Sequence, residues 1–365
     1  MKIVFSICLQ VFLCVQIGLQ ASAQDKPNKF DGEDSVYAKR ENYVLSARSK
    51  LTIFFFTNRY LNGILFTNPG LNTYYFPISP LNFGLGFSHK WLAVNVALFS
   101  PRLGTKNYDG TGKKYDNFNF QVLAYTPRYG LDVLYSQNIG YFLGNYQGYV
   151  DLNGAPEKTP YFDMRTNRFT INLLRIFNPI KYSMNATMIG GEMQKNSASS
   201  FIMNTTFSLS AFKMSDSIPQ YVRDQMNPDA IFKNGTFYSI GILPGYAFTW
   251  IIKKRFYIGI IPSFGPSIQF KNMSFEGDHE ERFSISYRVL AKAGAGFHTK
   301  RWTAGLSVLF DSEQYHLASQ SNIINNNGKV TLRVGYKINV PKWGKGLSNK
   351  MSSMQNRFEH TLRNF

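Results

Sequence analysis

Five histidines, His89, His279, His298, His316 and His360, are the side chains suited by type to proton transfer near neutral pH. A hydrolase would set one of them between a serine and an acid. None lies in a recognisable nucleophile motif. His89 and His298 fall where tight turns are expected and read as turn polars. His316 follows Asp311 and Glu313 in an expected outer loop, a generic spacing, so a membrane-embedded hydrolase is the least favoured reading. The densest acidic run is Gly277-Asp-His-Glu-Glu281, and Asp151-Leu-Asn-Gly154 has a faint calcium-loop look. Neither has full ligand spacing, so both read as solvated loops and neither metal nor cofactor is expected.

Charge is more informative. Lys and Arg total 40 against 22 acids, a net charge of +18. On one face of the strands described below lie Arg48, Lys50, Arg288, Lys292, Arg333 and Lys337, opposed chiefly by Asp132 and Asp311. If that face lines a lumen, its low-dielectric wall focuses the field and favours small anionic solutes. The alternative is that these cations pair with neighbours or loop acids inside a closed barrel. Arg102, Lys106, Lys113 and Lys114 in the 101–115 stretch suit lipopolysaccharide phosphates, or form an ordinary solvated loop. An exported chain does not meet the genome, so nucleic acid is not expected as a partner.

The elements that must position these residues show in the periodicity. Tyr238, Ile240, Ile242, Pro244, Tyr246, Phe248, Trp250 and Ile252 alternate with Ser239, Gly241, Leu243, Gly245, Ala247 and Thr249. Period two continues through 255–270, 283–298, 302–310 and 330–340, a strong strand signal. A soluble sandwich alternates too, but three features favour lipid. The segments run longer than the roughly 5–6 residues of globular strands. Their second face is Gly, Ser and Ala. Tyr238, Trp250, Phe256, Phe270, Trp302 and Phe310 sit near strand ends on the apolar face, as an interfacial girdle would. Pro244, Pro262 and Pro266 remove ladder donors and predict bulges or rim positions.

Earlier strands are predicted at 44–57, 72–88, 91–100, 116–127, 130–143, 166–177, 180–190 and 198–212. Tight links at His89-Lys90, Pro127-Arg-Tyr129, Asn178-Pro179, Lys253-Lys254 and Thr299-Lys300 alternate with long polar ones, the pattern of periplasmic turns and outer loops. The count is thirteen, whereas single-chain bacterial barrels have even numbers. The 213–235 stretch is also too long for the periplasmic end where it falls. The fold expected is therefore an all-β transmembrane antiparallel up-and-down β-barrel of 12–14 strands, with 14 preferred.

Residues 1–23 carry Lys2, an apolar run Ile3–Leu19 and Ala21-Ser-Ala23, the order of a secretory signal cleaved before Gln24. Cys8 and Cys14 both lie within it, so the mature chain would rely on no disulfide. No later run reaches the length of a spanning helix. A spanning structure must then be a closed barrel, since hydrocarbon tolerates no open sheet edge. Aromatic residues make up 16% of the chain, yet its mean hydropathy is only −0.22, as alternating strands average to. The expected layout is a signal at 1–23, a periplasmic segment at 24–43, the barrel at 44–340 and a basic tail at 341–365. In the tail, Met351, Met354, Phe358, Leu362 and Phe365 have near-helical spacing. It reads as a short amphipathic or disordered tail, with a docking element as the alternative.

Arg333-Val-Gly335-Tyr-Lys-Ile338-Asn-Val340 resembles the signal in the last strand of outer-membrane barrels: polar, any, Gly, any, any, apolar, any, apolar. The resemblance implies the barrel-assembly machinery as a partner, although the motif ends in Val rather than an aromatic and more chain follows it. Phe177-Asn-Pro-Ile-Lys-Tyr-Ser183, Gln194-Lys-Asn-Ser-Ala-Ser-Ser200 and Gly245-Tyr-Ala-Phe-Thr-Trp250 resemble an uncharacterised Bacteroidetes family, the domain of unknown function 4421. That resemblance implies an outer-membrane barrel embedded in lipid and lipopolysaccharide, and supplies no activity. The function expected is a channel or transporter that favours anions, of unknown substrate. A structural or interaction barrel is the alternative.

Overall fold

Alternation of apolar with small or polar side chains becomes, in three dimensions, a wall with a greasy outside and a mixed inside. The computed structural model describes residues 39–45, 50–67, 72–77, 79, 81–99, 116–145, 160–214, 232–275, 279–317, 321–341 and 344–363. Its strands are β1 (Val44–Leu45), β2 (Lys50–Tyr60), β3 (Gly63–Thr67), β4 (Thr73–Pro77), β5 (Asn82–His89), β6 (Leu92–Phe99), β7 (Asp116–Tyr125) and β8 (Tyr129–Asn145). They continue as β9 (Pro160–Ile176), β10 (Met193–Gln194), β11 (Ala198–Lys213), β12 (Phe232–Ile252), β13 (Phe256–Phe275), β14 (His279–His298), β15 (Trp302–His316) and β16 (Asn322–Asn339). Helices α1 (Met184–Met188) and α2 (Lys345–Arg363) complete the order. Neither is long and apolar enough to cross a membrane.

Fourteen strands form one antiparallel sheet closed into a ring, and β1 and β10 make a separate two-stranded sheet. The antiparallel barrel expected from the periodicity is the fold observed. Side chains on β13 alternate between buried and exposed for most of its length, with Phe256, Ile258, Ile260, Phe264, Ile268 and Phe270 outside. On β14 the outward Phe283, Ile285 and Tyr287 are 65%, 65% and 60% exposed. A continuous exposed belt of this kind belongs in hydrocarbon rather than water.

The ring is not uniform. β2 and β3 form one path along β16, broken at Leu61-Asn62, where Leu61 exchanges backbone hydrogen bonds with Gly328. β4 and β5 are a second broken path: β5 pairs with β2 and β6, whereas β4 pairs with β3 and β8. At the end carrying the tight turns, twelve strands surround the interior: β2, β5, β6, β7, β8, β9, β11, β12, β13, β14, β15 and β16. At the opposite end, where the connections are longer, β3 and β4 continue the two broken paths and β6 and β7 no longer intervene, leaving ten.

Three expectations are corrected. Residues 180–190 are not a strand. After β9 the chain leaves the wall at Phe177, turns at Asn178-Pro179 and forms α1 inside the barrel mouth before rejoining at β11. Removing that strand puts the 213–235 stretch at the long-loop end and resolves the odd count. Segments 44–57 and 72–88 are each broken in two, and the last two strands extend beyond 302–310 and 330–340. The prolines mark neither bulge nor rim. Pro244, Pro262 and Pro266 project outward in mid-strand, and the β12–β13 ladder simply skips from Gly241↔Ser267 to Gly245↔Ser263 with its register kept. At the β12–β13 turn, Lys253 and Lys254 take φ of 49° and 58°, the left-handed backbone of tight hairpins.

Helix α2 lies at the turn end beneath the β5–β6 hairpin. Trp91 donates its indole N–H to Met351 O at 3.0 Å and stacks on Phe358, with ring centroids 6.1 Å apart. Lys90 Nζ donates to Ser348 O, and His89 Nε2 is 2.9 Å from Ser348 Oγ. Gln355 and Glu359 are buried on the same face, while Met354 is exposed, so the docked face is largely polar. Phe365 lies outside the described residues.

Gly265 has no room for a side chain, since a Cβ there would stand 2.1 Å from Ile242 O. Gly265→Val is expected to lower barrel stability by about 1–3 kcal/mol, the usual size of overpacking. Urea unfolding in lipid vesicles, followed by the gel shift between folded and heat-denatured barrel, measures it. A midpoint equal to wild type would show that the strands can part there freely.

Candidate functional site

Inward side chains of a barrel become a site only if they leave space or unbalanced chemistry between them. Here they fill the bore in three layers.

The turn end is occupied by residues 177–197. Ser183 caps α1 by accepting from Ala186 N–H at 3.0 Å, and all five residues of the helix are buried. Thr187 Oγ1 lies 2.8 Å from Thr249 Oγ1, and Gly259 and Gly294 make room for Thr187, since a Cβ at either would fall within 2.7 Å of it. His298 Nε2 lies 3.1 Å from Ala186 O, and Arg333 Nη1 donates to Met188 O. From the N-terminal side Arg40 donates to Pro179 O, to Tyr182 O at 2.8 Å and to Glu192 Oε2 at 2.5 Å. Burial pushes the Tyr182 hydroxyl above its ordinary pKa, so it stays neutral in the plug.

The middle layer is ionic. Arg288 grips Asp311 with two hydrogen bonds, Nε to Oδ1 at 2.8 Å and Nη2 to Oδ2 at 2.7 Å. Arg168 Nη2 reaches Asp311 Oδ2 at 2.9 Å and Glu313 Oε2 at 3.3 Å. Glu313 Oε2 also accepts from Ser208 and Tyr315, each at 2.9 Å. Nearer the plug, Lys292 Nζ donates to Asp132 Oδ2 and lies 5.6 Å from the Tyr125 ring centre. All these charged groups are buried. The two-bond grip of Arg288 on Asp311 is the geometry that lets a buried ion pair offset its desolvation, while Asp132 Oδ1, Glu313 Oε1 and Arg168 Nη1 have no hydrogen-bond partner among the described residues.

The loop end is apolar. Ile64, Phe66, Tyr75, Tyr141, Met164, Phe212, Met214, Phe237, Met273, Tyr315, Leu317 and Ile323 form one buried cluster inside the narrower ring. Phe237 and Tyr315 rings lie 4.6 Å apart between centroids. Among the described residues, cavities of about 10 and 30 Å³ lie between the layers, room for a water or two.

Of the six cations singled out in the sequence, Arg288, Lys292, Arg333 and Lys337 point into the barrel and are buried. Lys50 stands at the turn-end rim and donates to Lys300 O at 2.9 Å, and Arg48 lies outside the described residues. The structure joins Arg288 and Lys292 to carboxylates, which takes their charge out of a free anion path. Sequence reasoning missed Arg168, Glu313 and Lys329 as inward groups. Extending the alternation of β15 past Phe310, and of β16 back before Val330, would have found the last two. Tyr238, Trp250, Phe256, Phe270, Trp302 and Phe310 all project outward. His316 belongs to β15 rather than to a loop, beside Asn322 Oδ1. Among the described residues, none of His89, His298 and His316 bonds to a carboxylate. Among the described residues no cluster suits a metal ion. Residues 101–115 and 151–154 lie outside them.

The sequence profile of a family described as "Domain of unknown function (DUF4421)" matches residues 32–338. No curated protein matches the chain. Among solved structures, the Escherichia coli outer membrane protease OmpT aligns at 8% identity and TM-score 0.37, over 80% of this chain and 97% of that one. The Pseudomonas putida toluene transporter TodX aligns at 7% identity and TM-score 0.24, over 79% and 90%. The attachment invasion locus protein Ail of Yersinia pestis aligns at 10% identity and TM-score 0.24, over 80% and 99%.

Asp311→Asn leaves Arg168 and Arg288 buried around a neutral amide, and is expected to cost about 3–5 kcal/mol of barrel stability. Replacing the pair together, Arg288→Met with Asp311→Leu, should cost clearly less. Urea midpoints in lipid vesicles compare them; an amide variant as stable as wild type would mean the cluster carries no energetic weight.

Proposed function

The chain belongs to this domain-of-unknown-function family, and on that footing we propose that it is an outer-membrane barrel closed to free solute flow, working as a membrane-seated platform for an envelope or surface partner. The observation that carries this reading is the filled bore: plug, ion-pair layer and aromatic cluster succeed one another along its length. An open anion channel needs a continuous wet path lined by unpaired charge, and the two carboxylate-bound cations work against it.

In this reading the tight turns face the periplasm and the long connections face outward. Residues 1–23 serve as a cleaved export signal. The plug, the Arg40 segment and α2 then present a periplasmic surface, while the 101–115 stretch, with its four cations, meets lipopolysaccharide phosphates. In the same reading β16 carries the recognition residues for barrel assembly Arg333, Gly335 and Ile338, with Val340 just past its end. It is also the strand that meets β2 to close the ring. Gly335 is a tight point of that closure, since a Cβ there would lie 2.9 Å from Phe54 Cβ.

Planar-bilayer recording tests the closed state. The purified barrel is expected to give no steps above the lipid background. A variant with residues 178–196 replaced by a short turn should admit ions through the turn end, at least in flickers. Steady single-channel conductance of the intact barrel would overturn the proposal in favour of a transporter.

A further inference from the structure

Buried strand cations outnumber buried strand anions: Arg168, Lys271, Arg288, Lys292, Lys329, Arg333 and Lys337 against Asp132, Asp311 and Glu313. The three acids are taken by Arg168, Arg288 and Lys292. Lys329 and Arg333 lie on the inward face of β16 on either side of Thr331, 7% and 6% exposed, and among the described residues neither has a carboxylate within 4 Å. Lys329 Nζ has Gln121 Oε1 at 2.5 Å and the Tyr60 ring centre at 5.5 Å. Arg333 spends Nη1 on Met188 O and leaves Nη2 buried without a partner. Buried cations without counter-ions are costly, and a guanidinium with a free N–H is a ready fork for an oxyanion. Both line the 30 Å³ cavity, together with Asn95, Gln121, Leu123 and Tyr125.

Among the described residues the wall beside that cavity is incomplete. β6 and β7 pair only at Leu92↔Ala124, Ala93↔Leu123 and Val94↔Val122. β6 continues to Phe99 along β5, and β7 starts at Asp116 along β8, so above Val94 the two edges face each other unpaired. Asn95 and Gln121, the first residues past the last pair, are both cavity-lining. On the outer side of the flanking strands Leu85, Phe87, Phe118 and Phe120 are exposed, which places the seam in the apolar belt. Unpaired strand edges in hydrocarbon need a polar occupant or cover.

We infer that Lys329 and Arg333 form an oxyanion site, and that the β6–β7 seam admits a phosphate-type headgroup from the bilayer: a leading oxygen takes the place of water in the 30 Å³ cavity, the rest of the phosphate stays in the seam, and the acyl chain lies outside against Leu85, Phe87, Phe118 and Phe120. The cations supply the charge the headgroup needs, and the headgroup supplies the counter-ion the strand lacks. The site does not depend on whether the bore conducts.

The test uses the full barrel in neutral maltoside micelles, titrated in one arm with dodecyl phosphate and in another with inorganic phosphate, with bound copies counted by native mass spectrometry. One dodecyl phosphate per barrel is expected, bound at least roughly tenfold more weakly in Lys329→Gln, as loss of one charge-assisted hydrogen bond implies. Lys329→Met, which keeps the length of the side chain, serves if the Gln variant fails the folded-barrel gel shift. Variant-sensitive binding in either arm supports the oxyanion cavity, and the tighter arm identifies a lipid or an aqueous source. No binding, or binding indifferent to Lys329 in both arms, overturns the cavity. A disulfide closed across the seam in the N95C/Q121C barrel should block uptake of dodecyl phosphate until it is reduced. Uptake at an unchanged rate with the bridge shut would overturn the lateral route.

Discussion

Everything in this barrel follows from one constraint: a backbone placed in hydrocarbon must hydrogen-bond to itself. That is why β16 turns back onto β2 and β3 and the sheet closes into a ring, the β6–β7 edges beyond Val94 being an exception that has to be covered. Closure also decides what faces lipid, since the outward positions of each strand become the surface without further choice. The interior then has to be filled from inside the ring. The chain does so with a plug drawn from its own sequence between β9 and β11, with ion pairs spanning the bore, and with an aromatic cluster where the ring narrows.

The wall was legible because it is repetitive. Over 237–252, 255–270, 283–298, 302–310 and 330–339 the alternation reads onto the bodies of β12 through β16, since one face meets lipid there, whereas their polar ends at 271–275, 279–282, 311–316 and 322–329 did not show. The plug was not legible for the same reason. Tyr182, Met184, Ala186 and Met188 alternate with Lys181, Ser183, Asn185 and Thr187 as a strand would. Period two has meaning only when the two faces see different surroundings, and all of α1 is buried. What marks this stretch as a turn and helix is local: the Asn178-Pro179 turn and the hydroxyl of Ser183 capping the next residues.

The charged interior was half legible. Arg288 and Lys292 announce themselves by interrupting a run of Ser, Ala and Gly, but their partners sit on other strands, at 132 and 311, and no local pattern joins them. Asp311 reads as an inward acid, but Glu313 after it looks like a loop residue because Ser312 and Gln314 on either side of it are polar as well. In the structure the strand runs on through them, for the acids face Arg168 and Arg288 across the bore. A polar stretch can therefore be wall when the bore it lines is itself ionic.

The loss of two strands between the turn end and the loop end makes the molecule a wedge. With about 4.8 Å between neighbouring strands, the girth shrinks by roughly 10 Å from one leaflet to the other. Lipids beside the slimmer end have more area to occupy than those beside the stout end, so a flat bilayer around this barrel is under uneven lateral pressure.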